Sequence, residues 1–155
     1  MKNLLELYKL VEDFAGRHRM VNEFKVIGDI QELDQLDLDF RSLVLVIDNT
    51  NISRELNYYS LGFNVYIVDK CQTDNPEGMV VSTQENIFVI SQLQDYILQQ
   101  DNVVEFEQVE IANARNDDYT TTVAFCAFNV HFERTTRSGD CFEGTVALQD
   151  IKLGE

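Results

Sequence analysis

The side chains able to do chemistry in this sequence are few in kind and widely spaced. Nucleophilic catalysis needs a base, and the chain has two histidines, His18 and His131. His18 follows an amphipathic segment and lies between Arg17 and Arg19, where a solvated side chain is expected. His131 lies in an alternating stretch, on the face opposite Val130 and Phe132, and reads as a strand position rather than as a general base. Three cysteines, Cys71, Cys126 and Cys141, form an odd set without C-x-x-C spacing, which argues against a disulfide framework and against zinc. Asp48, Asp69 and Asp74 fall at strand ends or in loops, where turn formation accounts for them. Asp37-Leu38-Asp39 lacks the glycine and the distal glutamate of a calcium loop. Neither G-x-x-x-x-G-K nor G-x-G-x-x-G occurs, so no phosphate-cradling loop is encoded. The sequon Asn51-Ile52-Ser53 has no secretory signal beside it. The expectation is a protein without catalytic residues, metal or cofactor.

What remains is surface that suits assembly. Phe88 falls on the polar side of a helix, and Tyr58 and Tyr66 fall on the more polar face of a sheet. These three are the candidate subunit-interface residues, because exposed aromatics are enriched at protein interfaces.

The elements that position them follow from periodicity. Leu4, Leu7, Tyr8, Val11 and Phe14 recur at spacings of three and four, which predicts an amino-terminal helix over 3–14 with Gly16 as its stop. Residues 17–42 are polar and irregular and predict short strands or turns. Leu43–Ile47 is a short β-branched run leading into a turn at 48–51. Tyr59, Leu61, Phe63, Val65 and Ile67 alternate with smaller or more polar residues, which predicts a strand buried on one face and mostly wet on the other. Residues 70–78, which hold the single proline, Pro76, read as a surface loop. Ser82-Thr83-Gln84-Glu85 has the form of a capping box, so the central helix is expected over 83–100 with Val89, Ile90, Leu93, Tyr96 and Ile97 on its buried stripe.

Strand chemistry resumes at 103–111, turns at 113–118 and continues from Tyr119 to Arg134, an extended hairpin over 103–134. A last short segment is expected at 144–148. The order α-β-β-α-β-β predicts an α+β fold: one domain over 1–155, a mainly antiparallel sheet, and the amino-terminal and central helices packed on one face.

Bulk composition narrows the partners. Asp and Glu number 27 against 12 Lys and Arg, a formal net charge of −15. Such a surface repels phosphate backbones and argues against a dedicated nucleic-acid binder. It serves solubility, or it forms a channel wall to which passing DNA does not adhere. No apolar run reaches the roughly 18 residues of a membrane span, and the amino terminus lacks the apolar core of a signal peptide. A reducing, cytosolic site of synthesis is expected, with no membrane partner.

The segment Gly62-Phe63-Asn64-Val65-Tyr66-Ile67-Val68-Asp69, then a loop, then Val81-Ser82-Thr83-Gln84-Glu85-Asn86-Ile87 opening a long helix, then a hairpin, resembles small neck and tail-terminator proteins of tailed bacteriophages. The likeness is closest to those of phages infecting Bacteroidetes, including the crAss-like group, and covers about residues 40–135. The resemblance implies a virion structural protein in the head-tail connector or at the tail terminus, assembled in the host cytoplasm. It implies a homo-oligomeric ring, six- or twelve-fold, that contacts portal, connector or tail proteins while DNA passes through the lumen without specific binding. The alternative from another class is an acidic cytosolic adaptor or inhibitor module that meets a basic protein partner.

Overall fold

The computed structural model describes residues 4–38, 41–47, 52–54, 58–100, 104–115 and 118–133. Helix α1, Leu4–Arg17, turns Leu7, Val11 and Phe14 into the core, as the spacing predicts. Leu4 lies outside that face and is exposed. The helix also runs through Gly16 rather than stopping there, with the His18 amide bonded to the Phe14 carbonyl.

Strand β1, Glu23–Ile27, and a 3-10 helix at Ile30–Gln35 fall in the region expected to hold short strands or turns, and strand β2, Ser42–Val46, is the run expected at 43–47. β1 and β2 pair in parallel, which requires the long 28–41 connection to return the chain to the same end of the sheet. All five residues of β2 are buried. The apolar run Leu43–Val46 reflects a strand covered on both faces.

Strand β3, Ile52–Arg54, and the long β4, Tyr58–Gln72, follow. After helix α2, Pro76–Gln100, come β5, Val104–Phe106, β6, Glu110–Arg115, and β7, Tyr119–Glu133. The sheet has seven strands in the order β1-β2-β4-β7-β5, with β3 added to β4 and β6 added to β7. Apart from β1 with β2, every pairing is antiparallel. The architecture is thus the expected α+β arrangement, with both helices on one face of a mostly antiparallel sheet.

The main core lies between that face and the helices. Leu43, Leu45, Phe63, Val65, Ile67, Ala124, Cys126, Phe128 and Val130 meet Leu7, Val11, Val89, Ile90, Leu93 and Ile97. Phe63, Phe128 and Phe106 pack as tilted rings across three strands at centroid spacings of 5.6 and 5.7 Å. The opposite face is drier than the alternation of β4 predicts. Ile27, Val44, Val46 and Val68 form a second buried cluster there, capped by Leu33, Leu36 and Leu38 of the 28–38 segment.

Three further expectations are corrected. The 70–78 segment is not a loop: β4 continues to Gln72, and α2 starts at Pro76. The cap is Asn75, whose Oδ1 accepts from the Gly78 amide at 3.0 Å, while Pro76 takes the first helical position, where no N–H is needed. A Cβ at Gly78 would fall 2.5 Å from Asn75 Nδ2, so a larger residue there would push the cap side chain aside. The single strand expected at 103–111 is two strands, and β6 runs into the turn expected at 113–118, as far as Arg115. Phe106 faces Phe128 whereas Glu110 faces Phe125, so residues 107–109 oppose only two residues of β7 and form a bulge. The hairpin expected over 103–134 is embedded in the sheet, because β7 pairs along its whole length with β4. Segment 144–148 lies outside the described residues.

Candidate functional site

Two features remain once the core is accounted for: a buried polar cluster and the outer face of α2. The cluster is built by four elements. β4 contributes Asp69, β7 contributes Thr122, α2 contributes Ser82, Glu85 and Asn86, and Arg41 enters just ahead of β2. Arg41 is the one non-glycine residue of positive φ among the described residues, at 50°. That backbone costs an L-residue about 1–2 kcal/mol, and it is held by the Asn22 amide donating to the Arg41 carbonyl and by the side chain's own partners.

The guanidinium lies between two carboxylates. Nη2 donates to Asp69 Oδ2 at 2.8 Å and to Glu85, and Nε donates to Asn86 Oδ1 at 3.2 Å. Arg41 and Asp69 side chains each keep only 12% of their exposure, so this pair, unlike a surface one, is shielded from solvent.

Donor counting fixes the direction of the remaining bonds. Ser82 Oγ has one proton and gives it to Asp69 Oδ2 at 2.7 Å. The Ser82–Thr122 bond of 2.6 Å must therefore be donated by Thr122. Asn86 Nδ2 in turn donates to Thr122 Oγ1 and to the Thr122 carbonyl, both at 3.1 Å. The chain of donation runs from Asn86 through Thr122 and Ser82 to Asp69, where it meets Arg41. Every hydroxyl is committed, and Ser82, Asn86 and Thr122 are buried. As arranged, the cluster clamps α2 to β4 and β7 and neutralises a buried carboxylate.

Its members were readable in part. Ser82 and Asn86 stand four residues apart and continue the stripe of Val89, Ile90, Leu93 and Ile97 toward the amino end of α2, so polar residues on a core-facing stripe were the signal. The capping-box reading absorbed Ser82 instead. Arg41 left no signal, because neither its positive φ nor its reach to α2 is encoded locally.

The histidines occupy structural positions. His18 Nδ1 accepts from the Met20 amide at 3.1 Å, which leaves Nε2 as the protonated nitrogen that faces Gln92 Oε1. The ring also packs on Phe14. His131 sits half-buried on β7 with Nε2 3.9 Å from Glu105 Oε1. Cys126 is buried in the core, and burial pushes its thiol up to about 11, against the favourable contact from Gln94. Cys71 is half-buried, and Cys141, Asp39, Asp48 and Asn51 lie outside the described residues. Asp37 and Asp74 are placed far apart in the chain, in the 36–38 segment and the 73–75 turn. No group of three or more His, Cys, Asp or Glu able to hold a metal is found among the described residues. None of the described helices is long and apolar enough to cross a membrane.

The predicted interface residues do not come together. Phe88 is 52% exposed on the outer face of α2. Tyr66 is on the opposite side of the sheet, half-buried and stacked face to face on Phe125 at 5.1 Å and 15°. Tyr58 begins β4, and its side chain lies outside the described residues. Around Phe88 the outer face of α2 carries further apolar side chains: Val80, Val81, Ile87 and Leu98 are all exposed. Two grooves flank this crest. One is lined by Met20, Val81, Glu85, Phe88 and Ser91, the other by Met79, Val80, Thr83, Ile87, Ile111 and Asn113. Beyond the second groove β6 forms the sheet edge, exposed at all six residues.

No protein-family model matches the chain, and no curated protein sequence matches it significantly.

Proposed function

We propose that the chain is a non-enzymatic ring subunit of a phage virion, in the head-tail connector or at the tail terminus, with DNA passing through the ring. The observation that carries this reading is the pairing of an edge strand exposed on both faces with an exposed aromatic crest. β6 has the centre Ile111-Ala112-Asn113-Ala114, without proline or an inward-pointing charge to block a further strand. Phe88 and its neighbours lie on a different surface of the same domain. Surfaces that differ in kind on one subunit suit heterologous contacts, which close into rings when the rotation allows. The resemblance of residues 62–69 and 81–87 to neck and tail-terminator proteins supports the same reading. So does the charge of −15, which suits a lumen that must not hold DNA.

Sedimentation velocity and electron microscopy of the purified full chain, alone and with the neighbouring neck proteins, test the proposal. Six- or twelve-fold rings with carboxylates concentrated on the inner wall are expected. A strict monomer at micromolar concentration under both conditions overturns it.

A further inference from the structure

The sheet ends at β1 on one side and at β5 and β6 on the other, and among the described residues no further strand pairs with either edge. The two edges match each other in direction. β1 is parallel to β2, β2 antiparallel to β4, β4 antiparallel to β7 and β7 antiparallel to β6, so β1 and β6 run in opposite senses. A second copy placed beside the first, with its helices on the same side, therefore offers β1 to β6 as an antiparallel partner, the more stable kind of pair.

The edges match in backbone as well. The Ile47 amide donates to the Ile27 carbonyl, so Ile27, Lys25 and Glu23 turn their peptide groups toward β2, and Phe24 and Val26 turn theirs outward. On the other side the Glu107 amide donates to the Ala127 carbonyl, and the alternation along β7 aims Phe125 and Val123 at the same edge. Glu110 and Ala112 meet them there, which leaves the peptide groups of Ile111 outward. Phe24 and Ile111 also share the helix side of the sheet, since Phe24 packs on the main core and Ile111 faces buried Ala124.

Charge then selects the register. With Phe24 opposite Ile111, Lys25 falls directly opposite Glu110, and Val26, 38% exposed, lies diagonal to Ile111, 53% exposed. Lys25 is the one cation of β1 and Glu110 the one carboxylate of β6. Lys25 already meets Glu23 of its own strand at 2.8 Å and would bridge the two carboxylates. Pairing β6 with β6 of a second copy gives no such match. Residues that face each other must share a side of the sheet, and Glu110 and Arg115 lie on opposite sides.

We propose that β1 of one copy adds to β6 of the next, Lys25 against Glu110, so that one sheet runs on from subunit to subunit. This rests on the ring reading and names the contact that closes the ring.

Sedimentation velocity compares the full chain with K25E, E110K and K25E/E110K. Each single reversal sets like charges opposite each other and should raise the concentration needed for assembly about tenfold, and the double reversal should restore it. E110K separates this contact from general repulsion, because it lowers the net negative charge and would otherwise favour association. A second measurement uses geometry. Opposed residues of an antiparallel pair have Cα atoms about 4.5–5.5 Å apart, within disulfide reach. Oxidised K25C/E110C should therefore run as a ladder of covalent oligomers that reduction collapses, and neither K25C nor E110C alone should do so. Rings that form equally well in E110K, with no ladder from K25C/E110C, overturn the proposal and leave the ring reading standing. A chain that stays monomeric at every concentration overturns both.

Discussion

Arg41 concentrates more consequences than any other side chain described. It sits in a backbone region that suits glycine, and its guanidinium is the counter-charge for a shielded carboxylate. Replacing it tests the two roles separately. Arg41→Ala leaves Asp69 and Glu85 without their cation and should destabilise the protein by about 3–5 kcal/mol in urea unfolding. Arg41→Gly loses the same charge but relieves the positive φ, so it should be less damaging by about 1 kcal/mol. Equal losses would show that the backbone there carries no strain.

Cys126 makes the second residue-scale prediction. Its thiol holds its proton up to about 11 in the folded state and releases it earlier once unfolded. A raised pKa in the folded state gives stability that is complete below the unfolded value and is lost as pH rises toward the folded one. Stability should therefore fall between about pH 9 and 11, and Cys126→Ala should flatten the fall without removing it. Tyr8 and Tyr96 keep the remainder, because their hydroxyls donate to Glu12 and Asp13 and are raised in the same direction. Urea midpoints of the two proteins across that range are the measurement. A thiol reagent at neutral pH should also leave Cys126 unmodified until denaturant is added.

At the scale of elements, the start of α2 separates two local signals that compete in the sequence. The capping box at 82–85 and the Asn75-Pro76 pair each mark a helix start, and tertiary contacts decide between them. Ser82 is drawn into the core by Asp69 and Thr122. Asn75→Ala should cost about 1 kcal/mol, with amide exchange accelerating in residues 76–80. Ser82→Ala should leave that end of the helix protected and lower global stability instead, because it removes the donor to Asp69. If Ser82→Ala frays the first turn and Asn75→Ala does not, the cap is misassigned.

The same competition explains what was legible. α1, β2, β4, the body of α2 and β7 announce themselves through runs and periods set by burial on one or two faces. The 28–38 segment does not, since Leu33, Leu36 and Leu38 cover a sheet face through contacts that no local period encodes. The polar cluster was half legible: Ser82 and Asn86 break an apolar stripe visibly, whereas Arg41 comes from a distant part of the chain. Phe88 was found from helical phase alone. Ile111 was not, because its orientation depends on the bulge before it.

For the whole molecule, a charge of −15 acts against both compaction and self-association. Salt screens exposed charges and leaves the shielded Arg41–Asp69 pair largely intact. Raising NaCl from about 20 to 500 mM should therefore raise the melting temperature by a few degrees. A melting temperature that falls would mean that exposed ion pairs such as Arg17–Asp13 outweigh the general repulsion. Contacts between identical acidic subunits gain from the same screening.

The bulge at 107–109 turns the hairpin into a reading frame. Phe106 points to the helix side, and unbroken alternation would send Ile111 to the other face and Ala112 toward the helix. The extra residue shifts the count by one and presents Ile111 beside Val80. Deleting one residue within 107–109 would leave two residues opposite Cys126 and Ala127, so the bulge would vanish while Glu110 kept its place opposite Phe125 and Ile111 its place opposite Ala124. The bulge thus absorbs a change of length ahead of β6, and the register with β7 decides which side chains of β6 lie beside α2.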